Sequence, residues 1–172
     1  MIYGLTYLGV IHTLISLVAV VCGFWALARD KQVLPGNRLG RTYLVTTALT
    51  AITGLFIFQH GGFGPPHVLS ILTLLALAVG CVAAFSTTFG RGSRYVQAIC
   101  FSTTLFFHMI PGFTETLTRL PLSKPLLPNA EAPELRAIAG VLLLILVVGL
   151  VLQLRWLRGQ SAATPLATAT AA

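Results

Sequence analysis

The chain has 172 residues, of which 56% are apolar and only 9% are Asp, Glu, Lys or Arg, with a mean hydropathy of +0.88. A soluble domain carries roughly 25% charged residues, so this composition excludes an ordinary soluble enzyme, a secreted disulfide scaffold and a disordered chain. It points to one all-α domain, an integral membrane helical bundle. The formal charge of +7 does not point to nucleic acid, because the 11 Lys and Arg lie in short gaps between apolar runs rather than clustered beside aromatic readers.

Runs of about 20 apolar residues mark membrane spans, and five are predicted: Ile2 to about Ala28, about Thr42 to Gln59, Val68 to about Phe85, Tyr95 to about Ile110, and about Ala137 to Leu157. All five are expected to be helices, because lipid offers no partner to open backbone groups. The first has no basic residue before it and no small-residue cleavage site ahead of Arg29, so it reads as a retained span rather than a signal peptide. The bundle is assigned to residues 1–160 and the Ala/Thr-rich remainder, 161–172, to a disordered tail. Between the fourth and fifth spans, a proline-rich external loop from Pro111 to Glu134 contains an amphipathic piece, Thr114 to Leu120, expected to lie along the interface.

Charge sets the orientation. The loop after span one holds Arg29, Lys31, Arg38 and Arg41, the loop after span three holds Arg91 and Arg94, and Arg155 and Arg158 follow span five. On the other side Arg119, Lys124 and Arg136 are balanced by Glu115, Glu131 and Glu134. The positive-inside rule then places the N-terminus outside and the C-terminus in the cytoplasm.

Cys22, Cys81 and Cys100 all fall in spans without CxxC spacing, and they read as small buried hydrophobes. The four histidines, His12, His60, His67 and His108, all fall at or near the external half, opposite the arginines. Counting helix rise from Arg29, Arg94 and Arg41 puts His12, His108 and His60 at about 25, 21 and 28 Å respectively. The turn from His60 to His67 makes spans two and three an antiparallel hairpin. Ionisable groups inside a membrane face the bundle interior or a water-filled cavity. His12 and His108 each sit in a polar stripe of helical spacing: His12, Ser16 and Gly23 on one span, Gln97, Cys100, Thr104 and His108 on the other. Span two offers Thr46, Thr50, Thr53 and Gly54.

Three roles are open to these histidines. They can serve as interhelical hydrogen-bonding groups. They can ligate a transition metal, with His12, His60, His67 and His108 as candidate ligands, or a haem b, with His12 and His108 as the axial pair. With Glu115, which is spaced to pair with Arg119 at i+4, they can form a proton or substrate path. No pair has i, i+4 spacing on one helix, and the His60–His67 interval crosses two prolines. No nucleotide, zinc-protease or nucleophile-elbow motif is present, which leaves open whether the protein is an enzyme. Pro35-Gly36-Asn37-Arg38-Leu39-Gly40-Arg41 reads as a turn leading into span two, its arginines meeting lipid phosphates.

His12 in the first span, Asn37-Arg38-Leu39-Gly40-Arg41-Thr42-Tyr43 and Gly62-Phe63-Gly64-Pro65-Pro66-His67 together resemble a bacterial membrane family, the domain-of-unknown-function family 2306. The resemblance covers about Tyr7 to Gly80. Phe107 through Pro121 is similar to the C-terminal part of longer members. Pro66 departs from the pattern, which has an aromatic residue before the span-three histidine. The resemblance implies a small helical bundle without a settled activity, and it marks His12, Arg38, Gly40, Arg41, Tyr43 and His67 as positions the family pattern uses. A likeness to four-helix b-type cytochromes is one of fold alone.

The leading expectation is a multi-pass protein of the bacterial inner membrane with a His-ligated haem b or transition-metal site in its outer half. That site would exchange electrons with a quinone or a membrane partner protein. The alternative is a non-enzymatic membrane protein that transports a small solute or protons, or serves as a subunit of a membrane complex. Its support is the Thr/Ser/Gly seam and the lack of catalytic motifs.

Overall fold

The computed structural model describes residues 6–58 and 62–162, which form five α-helices and one short 3-10 turn, with no strand among them. The helices are α1 (Tyr7–Asp30), α2 (Arg38–Gly54), α3 (Pro65–Phe85), α4 (Ser93–Arg119) and α5 (Pro133–Ala162). Helices α1, α3, α4 (with the preceding 3-10 turn) and α5 are long and apolar enough to cross a membrane. Their large side chains point outward: Leu14, Val21, Trp25, Leu75, Leu144 and Leu152 are all more than half exposed. Apolar side chains turned outward over a closed helical backbone are what a lipid solvent demands, and the protein is a multi-pass membrane protein. α2 has 17 residues, a length of about 25 Å.

Local chemistry explains most of the boundaries. Thr6 caps α1 by accepting the Gly9 N–H. Lys31 ends it in the left-handed conformation, its N–H returned to the Leu27 carbonyl. Asn37 then caps α2 through the Gly40 N–H at 2.8 Å and donates its amide to Asp30 at 3.0 Å. Asp30 also holds Arg29 at 2.7 Å. One carboxylate thus ties the end of α1 to the start of α2. The chain between them folds back so tightly that a Cβ on Gly40 would lie 2.0 Å from the Leu34 carbonyl oxygen.

Several boundaries differ from the sequence reading. Helix α2 stops at Gly54, short of Gln59, which lies outside the described residues. Its end tightens into i−3 bonds, Phe56 to Thr53 and Ile57 to Gly54, which pull the chain out of α-geometry. Helix α3 begins earlier than expected, at Pro65, because two prolines at its first positions are preset for a helix start. Helix α4 continues through Pro111 to Arg119, so Thr114 to Arg119 is its last stretch and not a separate interfacial piece. Proline removes one backbone bond, whereas breaking the helix in an apolar setting would strand several. Helix α5 starts at Pro133 and runs through Ala162, two residues into the expected tail. The remaining residues of that tail lie outside the described part of the chain.

The helices pack in chain order, α1 on α2, α2 on α3, α3 on α4, with a lesser contact from α1 to α4 that closes a ring. Helix α5 lies on the outside of α4. The densest packing is toward the end that carries the arginines. There Ala19, Ala26, Val33, Tyr43, Leu77, Phe101 and Leu105 form one buried cluster, with Cys22, Cys81 and Cys100 packed against it. The cysteines therefore behave as the small hydrophobes expected, free and half-buried. Small residues allow the approach: a Cβ on Gly23 would lie 2.7 Å from the Tyr43 ring, and one on Gly80 2.4 Å from the Phe101 ring. Two glutamines fasten the same end. Gln97 of α4 donates to the Val33 carbonyl at 2.9 Å. Gln153 of α5 donates to the Lys31 carbonyl at 2.6 Å and accepts from Ser102.

The turn between α1 and α2 makes a sharp test. Gly40→Ala is expected to destabilise the protein by about 1–3 kcal/mol through overpacking against backbone. Gly36→Ala, where nothing stands within 4 Å of the new methyl, should leave stability unchanged. Thermal unfolding of both variants in the same detergent checks this, and equal midpoints would contradict the tight-turn account.

Candidate functional site

The site is organised on one face of α2. Tyr43, Thr47, Thr50 and Gly54 recur at i, i+4, i+7 and i+11, and all four are buried. Helical periodicity places such residues in one stripe, and here that stripe faces the ring interior. His12 approaches it from α1 and His108 from α4.

His12 Nδ1 lies 3.0 Å from the Thr53 hydroxyl. That hydroxyl points its single proton back to the helix, at the Leu49 and Thr50 carbonyls (2.8 and 3.0 Å). Its oxygen can then only accept from His12, so His12 carries its proton on Nδ1 and presents the Nε2 lone pair. A Cβ on Gly54 would stand 3.3 Å from His12 Cε1 and 2.7 Å from the Ser70 hydroxyl. The imidazole is therefore packed directly onto the α2 backbone.

His108 is buried, and its Nε2 lies 3.1 Å from the Thr47 hydroxyl. Its ring meets that of Tyr43 edge-on, centroids 6.5 Å apart. Thr47 and Tyr43 stand one turn apart on the same buried face of α2. The Tyr43 phenol lies 2.7 Å from Thr104 Oγ1 and 3.2 Å from the Phe101 carbonyl. Thr104 donates to that same carbonyl at 2.8 Å. The polar string therefore runs His108–Thr47–Tyr43–Thr104 and ends on backbone, at the buried apolar cluster.

Between the two histidine-bearing threonines stands Thr50. Its hydroxyl is buried and has no hydrogen-bond partner among the described residues. Such a group costs roughly 1–3 kcal/mol when left unmade. Glu115 is exposed and ion-paired with Arg119 one turn on, as its spacing predicted.

The sequence-predicted residues divide cleanly. His12, His108 and Tyr43 come together on the α2 face. His67 stands at the start of α3, where Nδ1 accepts the Gly64 N–H at 3.2 Å. Arg38 and Arg41 are exposed on the first turn of α2, away from the seam. His60 lies outside the described residues. Among the described residues no three His, Cys, Asp or Glu gather in a way that could hold a metal ion. Sequence reasoning missed Thr47, the partner of His108, and Ser70, the neighbour of Gly54. It chose Thr46 instead, whose hydroxyl bonds back to Thr42 and Tyr43 carbonyls of its own helix. Counting the helical period from Tyr43 would have found Thr47.

The chain matches no family model, no curated protein and no solved structure.

Thr47→Val keeps the volume and removes the hydroxyl, so it should leave His108 Nε2 without a partner. The expected cost is about 1–3 kcal/mol, measured by unfolding in detergent. Thr46→Val, whose hydroxyl serves only its own helix, should cost less, and the reverse order would refute the assignment of the seam.

Proposed function

We propose that the protein is a proton-binding component of the bacterial inner membrane, either a proton-coupled carrier of a small solute or a subunit of a membrane complex. Five spans cross the bilayer, α2 included, with the N-terminus outside and the basic end in the cytoplasm. The observation that carries this reading is the pair of intramembrane imidazoles anchored on threonines of one α2 face, with the unpartnered Thr50 hydroxyl between them. His12 offers an Nε2 lone pair. Hydroxyls and imidazoles both donate and accept, so they can hand a proton along the seam. Two imidazolium charges on one face of α2 would repel, so the proposal is of a single proton shared by the pair. Beyond Tyr43 the packing is apolar, so the site is loaded from the outer side.

A test follows from nitrogen-15 histidine spectra of the protein in lipid nanodiscs across a pH series. The pair should take up one proton as pH falls, and His12→Ala and His108→Ala should each abolish the shared transition. Two independent transitions, or none, would overturn the proposal. The orientation is tested with a single cysteine at position 62 in a background lacking Cys22, Cys81 and Cys100. Labelling of intact cells from outside is expected, and labelling only after permeabilisation would reverse the topology.

A second reading, a haem b or transition-metal site that passes electrons to a quinone or a membrane partner, is favoured by one feature. His12 holds its Nδ1–H on Thr53 and leaves Nε2 free, the posture of a metal-ligating histidine. Against it, His108 has its Nε2 on Thr47. A reduced-minus-oxidised spectrum with metal analysis decides: haem bands that vanish in His12→Ala and His108→Ala would favour this reading over the first.

A further inference from the structure

His67 is set apart from the seam by its bonding. A backbone N–H always donates, so the Gly64 bond makes Nδ1 an acceptor and places the ring proton on Nε2. The residue is 4% exposed, and Nε2 has no hydrogen-bond partner among the described residues. The ring is thus a buried donor without an acceptor among the described residues, held in one tautomer by the capping interaction that starts α3. A metal ion does not satisfy it: coordination through Nε2 would move the proton to Nδ1, against the Gly64 N–H.

Two aromatic rings stack on the His67 imidazole. Phe58 lies 4.6 Å from the His67 ring, centroid to centroid, and tilted by 31°. Phe63 is stacked at 5.3 Å and 29°. Both phenylalanines are themselves mostly exposed, 57% and 66%. In a membrane protein their outer faces meet lipid. Side chains this open can swing aside without disturbing the core, and their π-faces favour a flat partner in offset stacking. Pro65 and Pro66 fix the backbone beside them.

We propose that His67, Phe58 and Phe63 form a binding site for a membrane-dissolved quinone, entered from the outer leaflet between α2 and α3. One quinone carbonyl accepts the His67 Nε2–H, the ring lies against an exposed face of the phenylalanines, and the tail stays in lipid. A lipid ester carbonyl offers the same acceptor, but it has no flat ring for the phenylalanines to hold. The proposal concerns binding alone and does not depend on proton uptake at His12 and His108.

The test uses the full chain, labelled with nitrogen-15 histidine, in nanodiscs of ether-linked lipids that lack ester carbonyls. Decylubiquinone is titrated and the His67 Nε2–H resonance is followed. A saturable downfield shift is expected. His67→Phe removes the donor and should weaken decylubiquinone binding, read by equilibrium partitioning, by about tenfold, the value of one hydrogen bond. Phe63→Ala and Phe58→Ala should each weaken it by roughly threefold. Unchanged His12 and His108 resonances in the same spectra certify the fold of each variant. A His67 signal that ignores decylubiquinone but moves when ester lipids replace ether lipids would assign the donor to lipid and overturn the quinone site. Equal partitioning into wild type and His67→Phe would overturn it as well.

Discussion

In an apolar surround every polar group must find its partner inside the protein, and that constraint shapes this bundle from backbone to site. The threonines show it most plainly. Thr13, Thr42, Thr73, Thr114, Thr116 and Thr118 all return their hydroxyls to carbonyls of their own helices. Such residues are self-satisfied and chemically silent. Two hydroxyls of α2 behave differently, because Thr47 and Thr53 meet imidazoles of other helices. α2 is the helix least able to live in lipid and the one that the others surround with polar contacts. Its interior face is the spine on which the histidines of α1 and α4 are hung.

Packing decides where that polar face ends. Lipid tails are as apolar as leucine, so the hydrophobic effect contributes little to pulling spans together, and close approach of backbones matters more. Gly23 and Gly80 supply the approach, and Tyr43 and Phe101 fill the space gained. The Tyr43 phenol is fully buried only because Thr104 and the Phe101 carbonyl meet it. A single side chain thus terminates the polar string and completes the apolar cluster. The opposite half is left with imidazoles and a spare hydroxyl, and the basic half is closed by packing and clamped by Gln97 and Gln153.

The fold class was legible because composition alone excludes a water-facing surface, and apolar run length locates helices with no competing signal. Helix ends were less legible. Pro111 reads as a breaker in water, but in a membrane the helix has nowhere else to send its carbonyls. Gly54 and Leu55 end α2 through i−3 bonds that hydropathy does not register. For the site, helical spacing brought out His12 and His108 as inward-facing, and the two do meet α2. Their partners were harder to see, since α2 carries threonines on several faces and only the neighbouring helices decide which face is buried. Thr47 and Thr46 are adjacent and chemically identical, yet one bonds His108 and the other its own backbone. Gln153 sits in an otherwise apolar helix and binds a carbonyl of a loop more than a hundred residues earlier, a pairing no local pattern encodes.

Three imidazoles of the same chemical type therefore come to hold different states for reasons their neighbours impose. Thr53 has spent its proton on the helix, so it forces His12 to donate from Nδ1 and leaves Nε2 as a base. Gly64 has only a proton to give, so it forces His67 to accept at Nδ1 and leaves Nε2 as a donor. Thr47 can do either, so His108 alone is free to change its tautomer as Thr47 turns. The hydroxyl of Thr47 separates the adaptable imidazole from the fixed ones. His12 and His108 share one face of α2 while His67 belongs to the cap of α3, so the seam and the start of α3 are separate polar environments.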